Sequence, residues 1–272
     1  MPKELFDVNG KVVVITGGLG QLGRQFGTAL IERGAKVAVF DLEAEEGKVA
    51  GGYGGAGTED NLLFLRVDVT KRSSIEAALK QVNEKWGVPH ALINNAALDS
   101  PPNAPAEENG PFETYPESSW DKVMEVNTKG VFLCCQAVGQ QMASAGRGSI
   151  VSICSTYGLV SPDQRIYSYR QEGEQGFFKP VAYSASKSAL LNVTRYLSTY
   201  WASKNVRVNT ITFGGVFNGQ DDQFLQGYNA RVPMGRMANA DEYNGAIIFL
   251  LSDAASYMTG SNLVIDGGWT AW

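Results

Sequence analysis

Two tyrosine–lysine pairs with the same spacing stand close together in this 272-residue chain. Tyr183 and Lys187 are four positions apart in "AYSASKSAL", and Tyr200 and Lys204 repeat the interval in "TYWASKNV". On a helix that interval puts both side chains on one face. A free tyrosine ionises at about pH 10, too high for an efficient base at neutral pH. A neighbouring ammonium favours the phenolate and so makes a general acid/base of the phenol. Spacing alone does not choose between the pairs. Position does: Tyr183 opens its helix, whereas Tyr200 and Lys204 close it, roughly 25 Å away, so the first pair is the expected acid/base and the second structural or solvent-facing.

A second chemistry is written near the N-terminus. "VVVITGGLGQLGRQFGTAL" (12–30) reads as strand, glycine-rich turn and helix. A turn without side chains lets backbone approach a pyrophosphate, and the helix that follows offers free N–H groups and the positive end of its dipole. Gly17, Gly20 and Gly23, with Gln21 and Leu22 between them, are the expected contacts. Gln21 either adds a side-chain donor near phosphate or starts the helix. "VFDL" places Asp41 18 residues after Gly23, at the tip of the next strand, where a carboxylate accepts from ribose hydroxyls. Asp41 would repel a 2′-phosphate, and the adjoining Leu42 and Glu43 supply no cation, so NAD is expected rather than NADP.

These groups need a scaffold, and the chain alternates the two element types that build one. Short β-branched runs recur at 11–16, 36–41, 62–69, 91–94, 149–154, 206–211 and 262–266, several apolar on both faces as buried parallel strands are. Helical periodicity fills 21–33, 71–86, 118–145, 183–203 and 240–252. Alternation of this kind predicts an α/β fold: a Rossmann-type doubly wound parallel sheet of about seven strands with helices on both faces. No Pro/Ser-rich linker divides the chain, so residues 1–272 read as a single dinucleotide-binding and catalytic domain. "GGYGGAG" (51–57) reads as a flexible surface loop.

Composition narrows the function. A net charge of −5 without a Lys/Arg run argues against nucleic acid and against an anionic membrane surface, leaving a small polar substrate as the expected partner. No basic start with a long apolar run and no stretch of 18 apolar residues is present, which predicts a cytoplasmic protein. Three cysteines without a CxxC fit a reducing compartment, and a single histidine, His90, argues against a catalytic zinc.

Taken together, "TGGLGQLG" (16–23), "DV" (68–69), "NNAA" (94–97), Asn127 in "EVNTKG", Ser155 in "SICSTYG", "YSASK" (183–187) and "DGG" (266–268) resemble the short-chain dehydrogenase/reductase family across essentially the whole chain. The resemblance implies a catalytic set of Asn127, Ser155, Tyr183 and Lys187. Tyr183 would exchange the hydroxyl proton, Ser155 would orient the same oxygen, Lys187 would hold the nicotinamide ribose, and Asn127 would keep a water linking Lys187 to solvent. It also implies adenine-side contacts from Asp68 and Val69, a cofactor-lining segment at Asn94, Asn95 and Ala96, and a carboxamide contact through the backbone of Val216. The family further suggests a homotetramer, or a homodimer, with the helices around 118–145 and 183–203 pairing across one interface and the C-terminal strand across another, and with Trp269 and Trp272 as interface or pocket wall. Gln21, Ala97, Phe213 and Asn218 depart from the family pattern, which puts the details of pyrophosphate and carboxamide contact in question but not the cofactor class.

Ser155 and Tyr183 are 28 positions apart, longer than the family spacing, because of the segment 161–180. That segment and 98–119 are insertions expected to form the substrate-side wall or a lid. The first mixes aromatic residues with both charges. The segment before "FKPVAYSASKS" and the ending "MTGSNLVIDGGWTAW" are similar to bacterial enzymes associated with modified sugars of flagellin or surface polysaccharide. That predicts a sugar, sugar phosphate or sugar acid as substrate, with Arg165, Arg170, Lys179 and Arg231 as candidate anion contacts. The rival readings are an NAD-binding sensor without turnover and a reductase of a non-sugar carbonyl compound.

Overall fold

The computed structural model describes residues 4–44, 53, 55–99, 106–170 and 176–272. Parts of both insertions and of the glycine-rich loop, including Glu172 and Glu174, lie outside the described residues.

Seven parallel strands form one sheet in the order β3-β2-β1-β4-β5-β6-β7. They are β1 (Val12–Thr16), β2 (Lys36–Asp41), β3 (Leu62–Arg66), β4 (Ala91–Asn94), β5 (Gly148–Ser155), β6 (Val206–Phe213) and β7 (Asn262–Ile265). All five residues of β1 are buried, because helices cover both faces of the sheet at its centre. The chain order reverses between β1 and β4, and the crevice at such a switch point is where doubly wound sheets take their ligands. The sheet class and its strand count match the expectation. β3 stops at Arg66, so Asp68 and Val69 fall in the turn beyond the strand.

Helix α1 (Gln21–Ile31) buries Phe26, Leu30 and Ile31 on one core. α2 (Arg72–Trp86) buries Ile75, Leu79 and Val82 on the other. The stretch 117–144 runs through α3 (Glu117–Met124), α4 (Val131–Cys134) and α5 (Gln140–Ser144), joined by π-helical segments Glu125–Gly130 and Cys135–Gly139. Widened turns of this kind re-aim side chains and recur at functional sites. Asn127 lies in the first of them, fully buried. α6 (Val181–Trp201) starts after Pro180, and α8 (Asn244–Leu251) follows a turn capped by Asn239 and Glu242.

Two elements depart from the sequence reading. α7 (Asp222–Asn229) stands where only a loop was expected, its first turn capped by Asp221, which accepts from Phe224 N–H at 2.8 Å. Tyr53, read as part of a flexible surface loop, is 1% exposed and donates its hydroxyl proton to the Gly18 carbonyl at 2.9 Å. A Cβ on Gly27 would lie 2.2 Å from its ring, so the ring fills the space that Gly27 leaves beneath the glycine turn.

The described part of 161–180 is anchored rather than draped. Ile166 and Tyr167 are buried in a third core cluster with Tyr157, Tyr228, Val232, Met237 and Trp269. Trp269, expected at an interface or pocket wall, instead stacks on Tyr228 with centroids 4.6 Å apart and meets Tyr157 edge-on. Trp272 is exposed.

Candidate active site

The glycine turn is packed tightly against its neighbours. Gly17 has φ +61°, and a Cβ there would lie 2.7 Å from the Ala96 Cα, so a side chain is excluded twice. A Cβ on Gly23 would lie 2.4 Å from the Gly17 carbonyl, which is how α1 packs flush against its own turn. No side chain caps α1 at Gly20, leaving its first-turn N–H groups for an anion. Asn95 fixes the turn from the neighbouring strand: its amide donates to the Thr16 and Gly17 carbonyls at 3.2 and 2.9 Å, and its own N–H and that of Ala96 donate to Thr16 Oγ1. Asn94 belongs to the core, bonded to Ser152 and close to Cys135.

The residues expected on the adenosine side stand at or just beyond the tips of β2 and β3. Asp41 accepts from Leu19 N–H at 3.0 Å and Glu43 N–H at 3.1 Å, which ties the glycine turn to β2. A carboxylate has about four lone-pair sites, so capacity for ribose hydroxyls remains. Leu42 is exposed beside it. Asp68 accepts from the Thr70 hydroxyl at 2.6 Å and pairs with Lys71 at 3.1 Å, and these partners hold its carboxyl below the usual range. Val69 is buried against Gly130.

Three of the four residues expected to react converge in a cleft of about 340 Å³ lined by Gln21, Leu22, Asn95, Ser155, Tyr183, Lys187 and Val216. Ser155 is the last residue of β5 and accepts from Tyr157 N–H at 3.2 Å, while its hydroxyl hydrogen-bonds the Tyr183 phenol. Lys187 is 4% exposed, donates to the Ile153 carbonyl at 2.8 Å, and stands 5.8 Å from the centroid of the Tyr183 ring. Gly158 allows this approach, since a Cβ there would meet Cys154 Sγ at 2.6 Å and the Lys187 backbone at 3.0 Å. Burial pulls Lys187 down to about 8. Burial and the Asp99 carboxylate push the Tyr183 phenol above its ordinary value, outweighing the Ser155 bond. In the protein alone, these causes outweigh any lowering by Lys187.

Asn127 lies in the π-helical segment Glu125–Gly130. Its side chain is taken up by protein: Oδ1 accepts from Leu98 N–H at 2.7 Å, and Nδ2 donates to the Leu98 carbonyl at 2.9 Å and to Ser186 Oγ at 3.0 Å. It grips the chain leaving β4. Gln21 starts α1, one of the two sequence alternatives, and its side chain also reaches across the crevice, donating to the Phe217 carbonyl at 2.8 Å. Val216 pairs with Ala238 and its carbonyl accepts from Gln220, while Tyr228 takes the Gly215 N–H at 2.6 Å and fixes this loop.

Of the candidate anion contacts only Lys179 lines the cleft. Arg165 and Arg231 both bind Asp163, and Arg170 binds Asp221 and Tyr169. Lys179 is paired with Asp99. Sequence reasoning missed Asp99, Tyr157 and Tyr228, whose places come only from packing between distant segments.

The second pair is elsewhere. Tyr200 is 64% exposed and stacks on Tyr196, and Lys204 lies in an exposed turn after α6 has ended. His90 accepts from Val12 N–H at the amino-terminal edge of the sheet, and burial brings it down to about 4.

A family model described as enoyl-(acyl carrier protein) reductase matches residues 20–270. The chain is 32% identical to an NAD-dependent glycerol dehydrogenase of Listeria innocua over 270 residues, covering 97% of this chain and 96% of that protein. The chain belongs to the short-chain dehydrogenase/reductase family. A D-threitol dehydrogenase of Mycolicibacterium smegmatis is 34% identical, with 97% and 95% covered. Among solved structures of the family, a short-chain dehydrogenase of Leptospira borgpetersenii with bound NAD+ superposes with a TM-score of 0.84 at 30% identity, covering 99% of this chain and 97% of that one. The names of the two curated relatives carry polyols, not the sugars of flagellin or surface polysaccharide. No described helix is long and apolar enough to cross a membrane.

Proposed function

We propose that the protein is an NAD-dependent dehydrogenase that interconverts a secondary alcohol and a ketone on a small neutral polyol. The observation that carries the reading is the cleft itself: the Ser155–Tyr183–Lys187 cluster and the uncapped glycine-turn helix open into one cavity. NAD, when bound, supplies the hydride acceptor and, in its oxidised form, positive charge in the cleft. The uncapped start of α1 would receive its pyrophosphate, Asp41 its ribose, and Asp68, Val69, Asn95, Ala96 and Val216 would line the remaining path. Tyr183 holds the proton of the substrate hydroxyl, taking it in oxidation and giving it in reduction. Ser155 orients that oxygen. Lys187, an ammonium fixed on the Ile153 carbonyl, steadies the phenolate when it forms.

A neutral substrate follows from the charges. Among the described residues, Lys179 is the one cation that the insertions bring to the cleft, where it is matched by Asp99, and the three arginines bind acids outside it. This replaces the sugar phosphate or sugar acid of the sequence reading, and the polyol names of the relatives support it. The described parts of 98–119 and 161–180 serve as the substrate-side wall. Exposed Phe132, Tyr196 and Tyr200 on the helical face, and Val264 on β7, are the surfaces through which a homotetramer or homodimer would form. Three buried, unpaired cysteines suit a reducing, cytoplasmic setting.

The test is a turnover screen with NAD+ and NADP+ on glycerol, threitol and arabinitol beside hexose phosphates and aldonates, read by the absorbance of reduced nicotinamide. Polyol turnover with NAD+ favoured by at least about tenfold is the expected result, given the charge that Asp41 sets against a 2′-phosphate. Tight NAD+ binding without turnover on any substrate would replace this reading with the sensor.

A further inference from the structure

The two insertions meet directly over the catalytic tyrosine. Lys179 comes from one and Asp99 from the other, and the two side chains form an ion pair. The Lys179 ammonium stands 4.9 Å from the centroid of the Tyr183 ring, and both charged residues share the cleft wall with that ring. Lys179 is 10% exposed at its side chain and Asp99 53%, and both line the cleft.

The backbone around each partner is held at two points by a primary amide. Gln164 Oε1 accepts from Lys179 N–H at 2.8 Å, and its Nε2 donates to the Lys179 carbonyl at 3.1 Å. Asn127 grips Leu98, the residue before Asp99, in the same two-point manner at 2.7 and 2.9 Å. A main-chain bond from Phe178 N–H to the Asn109 carbonyl at 2.7 Å ties the insertions together beside the pair. An ordinary surface ion pair contributes little to stability and needs no such fixing. Fixing is what a recognition element requires.

We propose that Asp99 and Lys179 are specificity-determining residues that read the hydroxyl adjacent to the reacting carbinol, Asp99 accepting from it and Lys179 donating to it. A hydroxyl is donor and acceptor at once and satisfies both partners. A carboxylate in the same place can accept from Lys179 but is repelled by Asp99, so the pair selects polyols against hydroxy acids. The inference rests on the polyol-dehydrogenase reading and gives it a substrate-side contact.

Threitol and threonate, which differ by one hydroxymethyl group against one carboxylate, are the matched probes. Wild type, Asp99→Asn and Lys179→Met are compared with NAD+ and each probe. Asp99→Asn is expected to raise the KM for threitol about tenfold, as loss of a charged hydrogen bond does. In the same variant the threonate-to-threitol ratio of kcat/KM rises about 100-fold, because the Lys179 charge is no longer matched. Lys179→Met weakens threitol without gaining threonate. NAD+ affinity, measured by titration, stays at the wild-type value in both variants. Threitol turnover by wild type with a ratio unmoved in Asp99→Asn would overturn the role of the pair alone. No wild-type turnover of any polyol would overturn the polyol reading and the pair with it.

Discussion

The two ends of α6 carry the same Tyr-x-x-x-Lys interval in opposite surroundings. At the first end, Tyr183 and Lys187 face a cleft, with Ser155 on the phenol and Ile153 on the ammonium. At the second, the α-helix stops at Trp201, the backbone tightens into a single turn over Ala202–Lys204, and Asn205 closes it with φ +55°. Lys204 therefore no longer shares a helical face with Tyr200, whose ring stacks on Tyr196 at 6.0 Å instead. An i,i+4 interval is a geometry only while the helix continues. What distinguishes a catalytic pair is the strand end it faces, and β5 delivers Ser155 to one pair and nothing to the other.

The sharpest way to break this contrast is a pair of phenylalanine substitutions. Tyr183→Phe should lower kcat about 1000-fold while NAD+ still binds, as removal of a general acid/base does. Tyr200→Phe should leave kcat within about twofold, since an exposed ring keeps its packing. The opposite pattern in steady-state kinetics would transfer the chemistry to the far end of the helix.

Burial separates the two lysines next. Lys187 is held near 8 against an ordinary value of 10.5, so between these limits the unfolded chain binds a proton that the native protein has lost. The sign then gives a stability contribution that rises with pH from about 8 to about 10.5 and is unfavourable below. Lys187→Met removes it: the variant's stability relative to wild type should fall by about 3 kcal/mol as pH climbs through that window. Denaturant midpoints at several pH values check this, and a pH-independent difference would mean that Lys187 is not held low. Lys204→Met, at an exposed turn, should stay within about 0.5 kcal/mol of wild type at every pH in the same series.

The scaffold was legible because β1, β2 and β4 are apolar on both faces, as strands of a covered parallel sheet are. The convergence of Ser155, Tyr183 and Lys187 on one cleft was legible because they stand at a strand end or in the first turns of α6, fixed by chain order. α7 was missed, as its cap Asp221 and its short apolar stripe, Phe224, Leu225 and Tyr228, are set among polar residues. Tyr53 was missed for the opposite reason: glycines on both sides suggested mobility, yet one ring reaching Gly18 and Gly27 makes the position core. Charge was misread most. Arg165, Arg170 and Arg231 look like anion contacts until their acids are known, and Asp163 and Asp221 become their partners only through folding. Asp99 and Lys179 lie 80 positions apart, beyond the reach of any local pattern.

The bond between Phe178 and Asn109 has a consequence for how this molecule could be re-engineered or could diverge. Each insertion leaves the carboxyl end of its own strand, so the sheet tolerates replacement of either loop. Their main-chain contact means that neither is an independent module. A loop transplanted alone from a relative would arrive without its counterpart's carbonyl and without its counterpart's charge. Exchanges that preserve a working substrate wall must move both segments as one cassette.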